Sequence, residues 1–293
     1  MNGNRPRRHK KGDELGANSA IRKAAKTLLY PLANERAYKY VQAVSKAIDI
    51  RRGTWSEPEL DLLGLALREG DTALDIGANY GVYAYHMSRA VGKSGKVFSF
   101  EPVPFTFDTL KIISRLLGFS HNVELVEKGC SDENGLISFS VPVQQSGAFA
   151  AGQAYIGTRN DEHSGKEDQV KWQSTKEVEA EVVRLDDFLP PLSDLPFVKA
   201  DIEGAELLCL RGAENLITKH LPTVVCEINP WFLDGFGIKM NELTSFFMDK
   251  GYKIYFYEEK RKSLREVDLA EIVEDNYVFL HPSRVERFAS LLS

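Results

Sequence analysis

Cysteine is scarce in this chain: only Cys130, Cys209 and Cys226 occur among 293 residues, and no two stand at C-x-x-C spacing. That excludes a zinc ribbon or a dithiol redox motif, and thiols in such apolar or strand-like contexts suit buried, reduced side chains in a cytoplasmic protein. Long apolar runs are missing too, with none near the roughly 20 residues that a membrane-spanning helix needs. The basic N-terminus has no apolar stretch behind it, which argues against a secretory signal. Nor is there an excess of positive charge. Lys and Arg number 37 against 42 Asp and Glu, a net charge of −5, so the molecule as a whole offers no general nucleic-acid or membrane surface. The six histidines form no metal or triad pattern, and no G-x-S-x-G turn occurs, which argues against a hydrolase. What remains, 43% hydrophobic and 27% charged residues, is the composition of an ordinary globular protein.

Two regions are expected: a basic tail with a helical extension over 1–53, and one larger domain over 54–293. In the tail, Arg5, Arg7, Arg8, Lys10 and Lys11 cluster in a polar stretch that reads as solvated, or as an arm for an anionic partner. From Ser19 to Ile50 apolar residues recur at helical spacing, and Pro31 should divide them into two helices. Arg51, Arg52 and Trp55 then mark an irregular entry, either a surface turn or a set of ligand contacts. Leu60–Leu67 reads as a helix leading into the first strand.

From there strands and helices alternate, the pattern of an α/β sheet covered on both faces. Strands are expected at Thr72–Ile76, Lys96–Phe100, Val123–Glu127, Phe197–Ala200 and Val224–Ile228. Helices are expected from about Tyr80 to Val91, Thr106 to Leu117, Ala205 to His220 and Met240 to Lys250. KIYFYE and YVFLHP add two strands, separated by a charged loop. After the third strand, Asp132-Glu133-Asn134-Gly135 favours a turn into LISFSV, so a hairpin is expected there, with VEAEVVRL as a further strand. Residues 144–176 are polar with scattered aromatics, a length and composition that suit a substrate lid.

The chemistry gathers at Thr72–Gly81, TALDIGANYG. Gly77 and Gly81 give the Cβ-free positions of a tight turn, and the helix that follows aims its free N–H groups back at that turn. Parallel neighbours bring their carboxyl ends to one edge, where ligands bind. Asp75, Gly77, Ala78, Asn79 and Gly81 would therefore lie under the polar part of a ligand. Glu101 and Pro102 close the second strand, and a carboxylate there can accept from both hydroxyls of a ribose. Asp132 is a candidate to accept from an adenine amino group. A dinucleotide would want G-x-G-x-x-G, but the second glycine is replaced by Asn79, and Asp75 adds negative charge beneath the turn. Negative charge repels a pyrophosphate and suits the ammonium and sulfonium of S-adenosylmethionine, so that cofactor fits better than NAD.

A second cluster lies on KADIEGAE. Asp201, with Glu203 and Glu227 in second place, is the candidate base or orienting group for an acceptor hydroxyl. Glu203 and Glu206 equally suit the start of the next helix, where acids favour the dipole, and Lys199 suits an ion pair with one of these acids. The acids are hard oxygen ligands, but no histidine joins them by spacing, and no metal is expected.

DIGANYGVYA, FEPVPFTFDTL, CSDENG, VRLDDFL, FVKADIEGAELLCLRGAENLI and LPTVVCEINP, in that order, resemble the FkbM-type S-adenosylmethionine-dependent methyltransferases over roughly Trp55 to Tyr257. The resemblance implies a class I methyltransferase fold: a Rossmann-like, doubly wound sheet of about seven strands, six parallel and the last antiparallel. It implies O-methylation of a small-molecule or glycan hydroxyl, often on a sugar or other secondary metabolite. By position it assigns Asp75 to Gly81 and Glu101 to the cofactor, and Asp132 less directly. An NAD-dependent oxidoreductase and a cofactor-binding scaffold without activity are the alternatives.

Overall fold

A computed structural model describes residues 35–143, 155–156 and 174–292. The sequence expectations for the basic tail, for the first of the two N-terminal helices and for most of the lid at 144–176 lie outside these residues.

The main sheet has eight strands. β1 (Thr72–Ile76), β2 (Lys96–Phe100) and β3 (Val123–Val126) form one half, and β8 (Phe197–Ala200), β9 (Thr223–Ile228), β10 (Lys253–Glu258), β11 (Ser263–Glu266) and β12 (Asp275–Leu280) form the other, in the order β11-β10-β12-β9-β8-β1-β2-β3. β1, β2, β3, β8 and β9 pair in parallel. β12 enters antiparallel between β9 and β10, so β10 points the same way as the parallel set. This is the expected class I arrangement with one addition. The charged stretch expected to be a loop supplies β11, which pairs antiparallel along β10 and makes the edge.

Both faces of the sheet are covered, so β1 and β2 are buried along nearly their whole length rather than at alternate positions. Leu74 and Ile76 of β1 face one core, shared with α6 (Glu206–Gly212), α7 (Glu214–His220) and α9 (Met240–Met248). Ala73 faces the other, shared with α1 (Glu35–Arg52), α2 (Leu63–Ala66), α3 (Val82–Val91) and α4 (Pro104–Leu117). The fixed φ of Pro104 suits the first turn of α4, and Gly118 ends it in the left-handed region at φ 75°. After β9, the Asn229 side chain caps the short α8 (Pro230–Gly235) by accepting from Trp231 N and Phe232 N.

Two expected helices are divided. The Leu60–Leu67 segment is a 3-10 turn over Pro58–Leu62 followed by the four residues of α2, and the Ala205–His220 helix breaks at Ala213 into α6 and α7. Apolar spacing continues across both breaks, so periodicity alone does not mark them. The Asp132–Gly135 turn leads into β5 (Gly135–Val143) as expected, but β5 does not pair back on the strand before it. It pairs antiparallel with the further strand β7 (Ser174–Val183), which stands between it and β4 (Gly129–Cys130) in a second sheet ordered β4-β7-β5-β6 with β6 (Tyr155–Ile156). The short helix expected at LDDFL is α5 (Leu185–Phe188). All three cysteines are buried free thiols. Among the described residues no helix is long and apolar enough to cross a membrane.

Candidate active site

The carboxyl ends of β1, β2, β8 and β9 open onto a cleft of about 270 Å3. The β1 turn is its floor. Asp201 N donates to Ile76 O at 3.1 Å on one side, and Gly77 N and Ala78 N donate to Phe100 O at 3.0 and 2.8 Å on the other. Gly77, at φ 80°, is required here, since a Cβ would stand 1.9 Å from the carbonyl oxygen of Asp201. Asn79 also takes a left-handed conformation, at φ 50°, which Asn tolerates better than most residues. Gly81, at φ 85°, starts α3 from behind the floor and is packed on Leu110 rather than set in the cleft wall.

Glu101 is buried with both carboxyl oxygens engaged by backbone: Oε2 accepts from Asn79 N and Oε1 from Val103 N, each at 2.9 Å. A carboxylate has about four lone-pair sites, so capacity for two further donors remains. Burial pushes this carboxyl up to about 7, against the pull of those two amides. Asp75 is also fully buried, accepts from Ser99 Oγ at 3.1 Å and is pushed up to about 7 by burial, with Ser99 and Lys199 holding it back. Asp132 stands just outside the wall. Its side chain accepts from Ser131 Oγ at 3.2 Å, and Ser131 lines the cleft together with Lys128, Gly129 and Cys130.

Opposite the turn stand Asp201, Glu203 and Glu227, brought together by the ends of β8 and β9. Lys199 is their internal cation. Its Nζ donates to Asp201 Oδ2 at 3.1 Å and to Asn276 Oδ1 of β12 at 3.0 Å, and lies 5.2 Å from the centre of the Tyr83 ring. Burial pulls the ammonium down, but Asp201, Glu57 and Glu227 more than offset this and keep it charged. Glu227 is driven far above the carboxylate range by burial, then by Asp201, Glu203 and Glu206. Glu206 braces the backbone instead. Its Oε1 accepts from Ile202 N at 2.9 Å and Gly204 N at 3.2 Å, holding the turn in which Glu203 sits at φ 55°.

The rest of the wall comes from residues outside the two sequence clusters. Trp55, read as one of three entry contacts, lines the cleft with Glu57, while Arg51 and Arg52 are exposed on α1 and are absent from the wall. Tyr83 of α3, Ile137 of β5 and Val182 of β7 complete it. Among the described residues no three His, Cys, Asp or Glu side chains are placed to hold a metal ion.

Residues 75–254 match the family described as the methyltransferase FkbM domain, which is more than half of the chain. The chain belongs to the FkbM methyltransferase family. The matched stretch runs from Asp75 on the cleft floor to β10, so it contains Glu101, Asp201 and Glu227. Similar proteins include Methyltransferase 1 of Beauveria bassiana, 29% identical over 165 residues, and protein-L-isoaspartate O-methyltransferase 2 of Archaeoglobus fulgidus, 36% identical over 111 residues. The first alignment covers 53% of this FkbM chain and 63% of the relative; the second covers 36% and 48%. The chain thus spans less than two thirds of either relative. Among solved structures, the methyltransferase FkbM from Methylobacillus flagellatus superposes with a TM-score of 0.44 at 15% identity, covering 91% of this chain and 61% of that one.

Proposed function

We propose that this chain transfers a methyl group from S-adenosylmethionine to a hydroxyl oxygen of a small molecule or glycan. The observation that carries the reading is the division of one cleft into two ends. One end is a glycine turn closed by the anchored carboxylate of Glu101; the other is the Asp201–Lys199 pair with Glu203 and Glu227. The first end fits the cofactor. Glu101 keeps acceptor capacity for two ribose hydroxyls, Gly77 through Asn79 offer backbone without bulk, and Cys130, Ile137 and Val182 give apolar surface for a flat base.

The charge of the wall separates this cofactor from a dinucleotide. Six acidic side chains line the cleft (Glu57, Asp75, Glu101, Asp201, Glu203 and Glu227, the last held protonated by burial) against two lysines. Both lysines are already paired, Lys128 with Glu181 and Lys199 with Asp201. A pyrophosphate finds no counter-charge there, whereas a sulfonium and an ammonium do.

When bound, the cofactor supplies an electrophilic methyl carbon. The chain's own residues do the rest. Asp201 accepts the proton of the acceptor hydroxyl, and Lys199 holds its Oδ2 and leaves Oδ1 for the substrate. Glu203 stands by as a further acceptor at the same end, and Glu227, kept protonated chiefly by burial, can orient the hydroxyl rather than take its proton. The name of the Archaeoglobus relative, an O-methyltransferase, supports oxygen as the atom methylated.

Two measurements test this reading. Calorimetry should show S-adenosylhomocysteine binding that Glu101→Ala weakens by about 10- to 150-fold, the equivalent of one lost charged hydrogen-bond partner. Labelled methyl transfer into cell extract should give a product methylated on oxygen, and Asp201→Asn should abolish it. Binding of NADH without binding of S-adenosylhomocysteine would overturn the assignment.

A further inference from the structure

We propose that the outer face of α1 docks on an anionic lipid bilayer, its apolar stripe lying in the interface and the basic stretch before it bound to the headgroups. The proposal is independent of the cofactor reading, because it concerns the side of the helix turned away from the domain.

A helix that only covers a sheet needs one apolar face, and α1 has two. Tyr38, Ala43, Ala47, Asp49 and Ile50 are buried on its inner side. Its exposed positions are Ala37, Tyr40, Val41, Val44 and Ile48, followed at the end by Arg51 and Arg52. At about 100° per residue these all fall within one arc of about 120°. Tyr40 is 60% exposed, Val41 53%, Val44 45% and Ile48 41%. Four of the ten large apolar side chains exposed among the described residues thus share one helix face, which makes it a patch rather than scatter. No exposed acid stands among the described side chains of α1.

Charge identifies what covers the stripe. Residues 1–34, joined directly to α1, hold eight Lys and Arg against two Asp and Glu, a net charge of +6. The whole chain carries −5, so residues 35–293 carry −11. The positive charge of the chain is therefore concentrated beside the stripe, and Arg51 and Arg52 add to it at the far end. On the flank, the Asp108 carboxylate of α4 is neutralised by Lys39 and Lys111 at 2.7 and 2.8 Å. An apolar stripe between two basic groups matches a surface where acyl chains lie beneath anionic headgroups. The arginines can rest their methylene stems on the apolar layer and keep their guanidinium groups among the phosphates. A second copy of the chain would bring the same cations to the same seam, so charge opposes a pair formed along the stripe. The helix lies on the bilayer and does not cross it, since no described helix is long and apolar enough to span.

Cosedimentation of the full chain with phosphatidylcholine vesicles, with and without phosphatidylserine, tests the proposal. We expect binding to the vesicles that contain phosphatidylserine, little to phosphatidylcholine alone, and release by high salt. Val44→Asp should weaken vesicle binding about tenfold, equivalent to about 1.4 kcal/mol, and leave the melting temperature without vesicles unchanged. Tyr40→Asp, at the most exposed position of the stripe, makes the same test should Val44→Asp not fold. Absence of binding to phosphatidylserine overturns the proposal, as does equal binding by the wild type and both variants, which would assign it to the basic stretch alone. A melting temperature lowered by Val44→Asp without vesicles would show that the chain itself covers the stripe, and overturns it too. So does a dimer in analytical ultracentrifugation that Val44→Asp abolishes, which would make a second copy the occupant.

Discussion

At position 77 a single methyl group would meet the Asp201 carbonyl oxygen at 1.9 Å, in a backbone conformation that side chains rarely adopt. Gly77→Ala should therefore destabilise the protein by about 3 kcal/mol or more, combining backbone strain with displacement of the β8 turn, as read from urea unfolding. It should also remove S-adenosylhomocysteine binding at temperatures where the variant is still folded. The glycines and Glu101 were legible in the sequence because their signals are local: a turn that needs Cβ-free positions, and an acid at a strand end. Glu57, Tyr83, Ile137 and Val182 were not, since only long-range packing brings them to the cleft. Lys199 was legible as an ion-pair partner, but its second anchor, Asn276, lies 77 residues away on the antiparallel strand.

Among the elements, α1 does more than cover the sheet. Gln42 Nε2 donates to Tyr80 Oη at 2.8 Å, the Lys46 ammonium lies 4.0 Å from the centre of the Trp55 ring, and Tyr38 packs against Phe105 of α4 with ring centres 6.3 Å apart. The helix thus braces both the glycine turn and the segment that carries Trp55 and Glu57. Tyr38→Ala should cost about 3 kcal/mol, the scale of a buried aromatic truncation, and should loosen cofactor binding because Gln42 loses its register on Tyr80. Thermal melts with and without S-adenosylhomocysteine check both effects. Element types followed from periodicity, and the central strands β1, β2, β3, β8 and β9 emerged where expected. Breaks did not: Ala213 interrupts a continuous apolar face, and β11 forms from charged residues whose pairing along β10 is a tertiary event.

For the molecule as a whole, buried carboxyls impose an unusual dependence on pH. Glu59, Asp75, Glu101 and Glu206 are each pushed up to about 7, with burial the largest cause in every case. An acid raised in the folded state favours folding while it is protonated, so this contribution is fully present below the unfolded carboxylate range and is lost as pH rises through about 7. The free protein should accordingly melt at a higher temperature near pH 6 than near pH 8. Cofactor affinity should run the opposite way, since Glu101 must be ionised to accept from two hydroxyls, and should decline as pH falls below about 7. Melting curves and calorimetry across that range, on one preparation, would show the two trends crossing. The close seating of the β1 turn on the β8 turn has a dynamic consequence as well. Asp201 N is bonded to Ile76 O, and the amides of Gly77 and Ala78 are bonded to Phe100 O, so the β8 turn hangs on the end of β1, which is itself tied to β2. Backbone amides on the two turns, more than a hundred residues apart in the chain, should exchange with solvent deuterium at one shared rate, as a single cooperative unit.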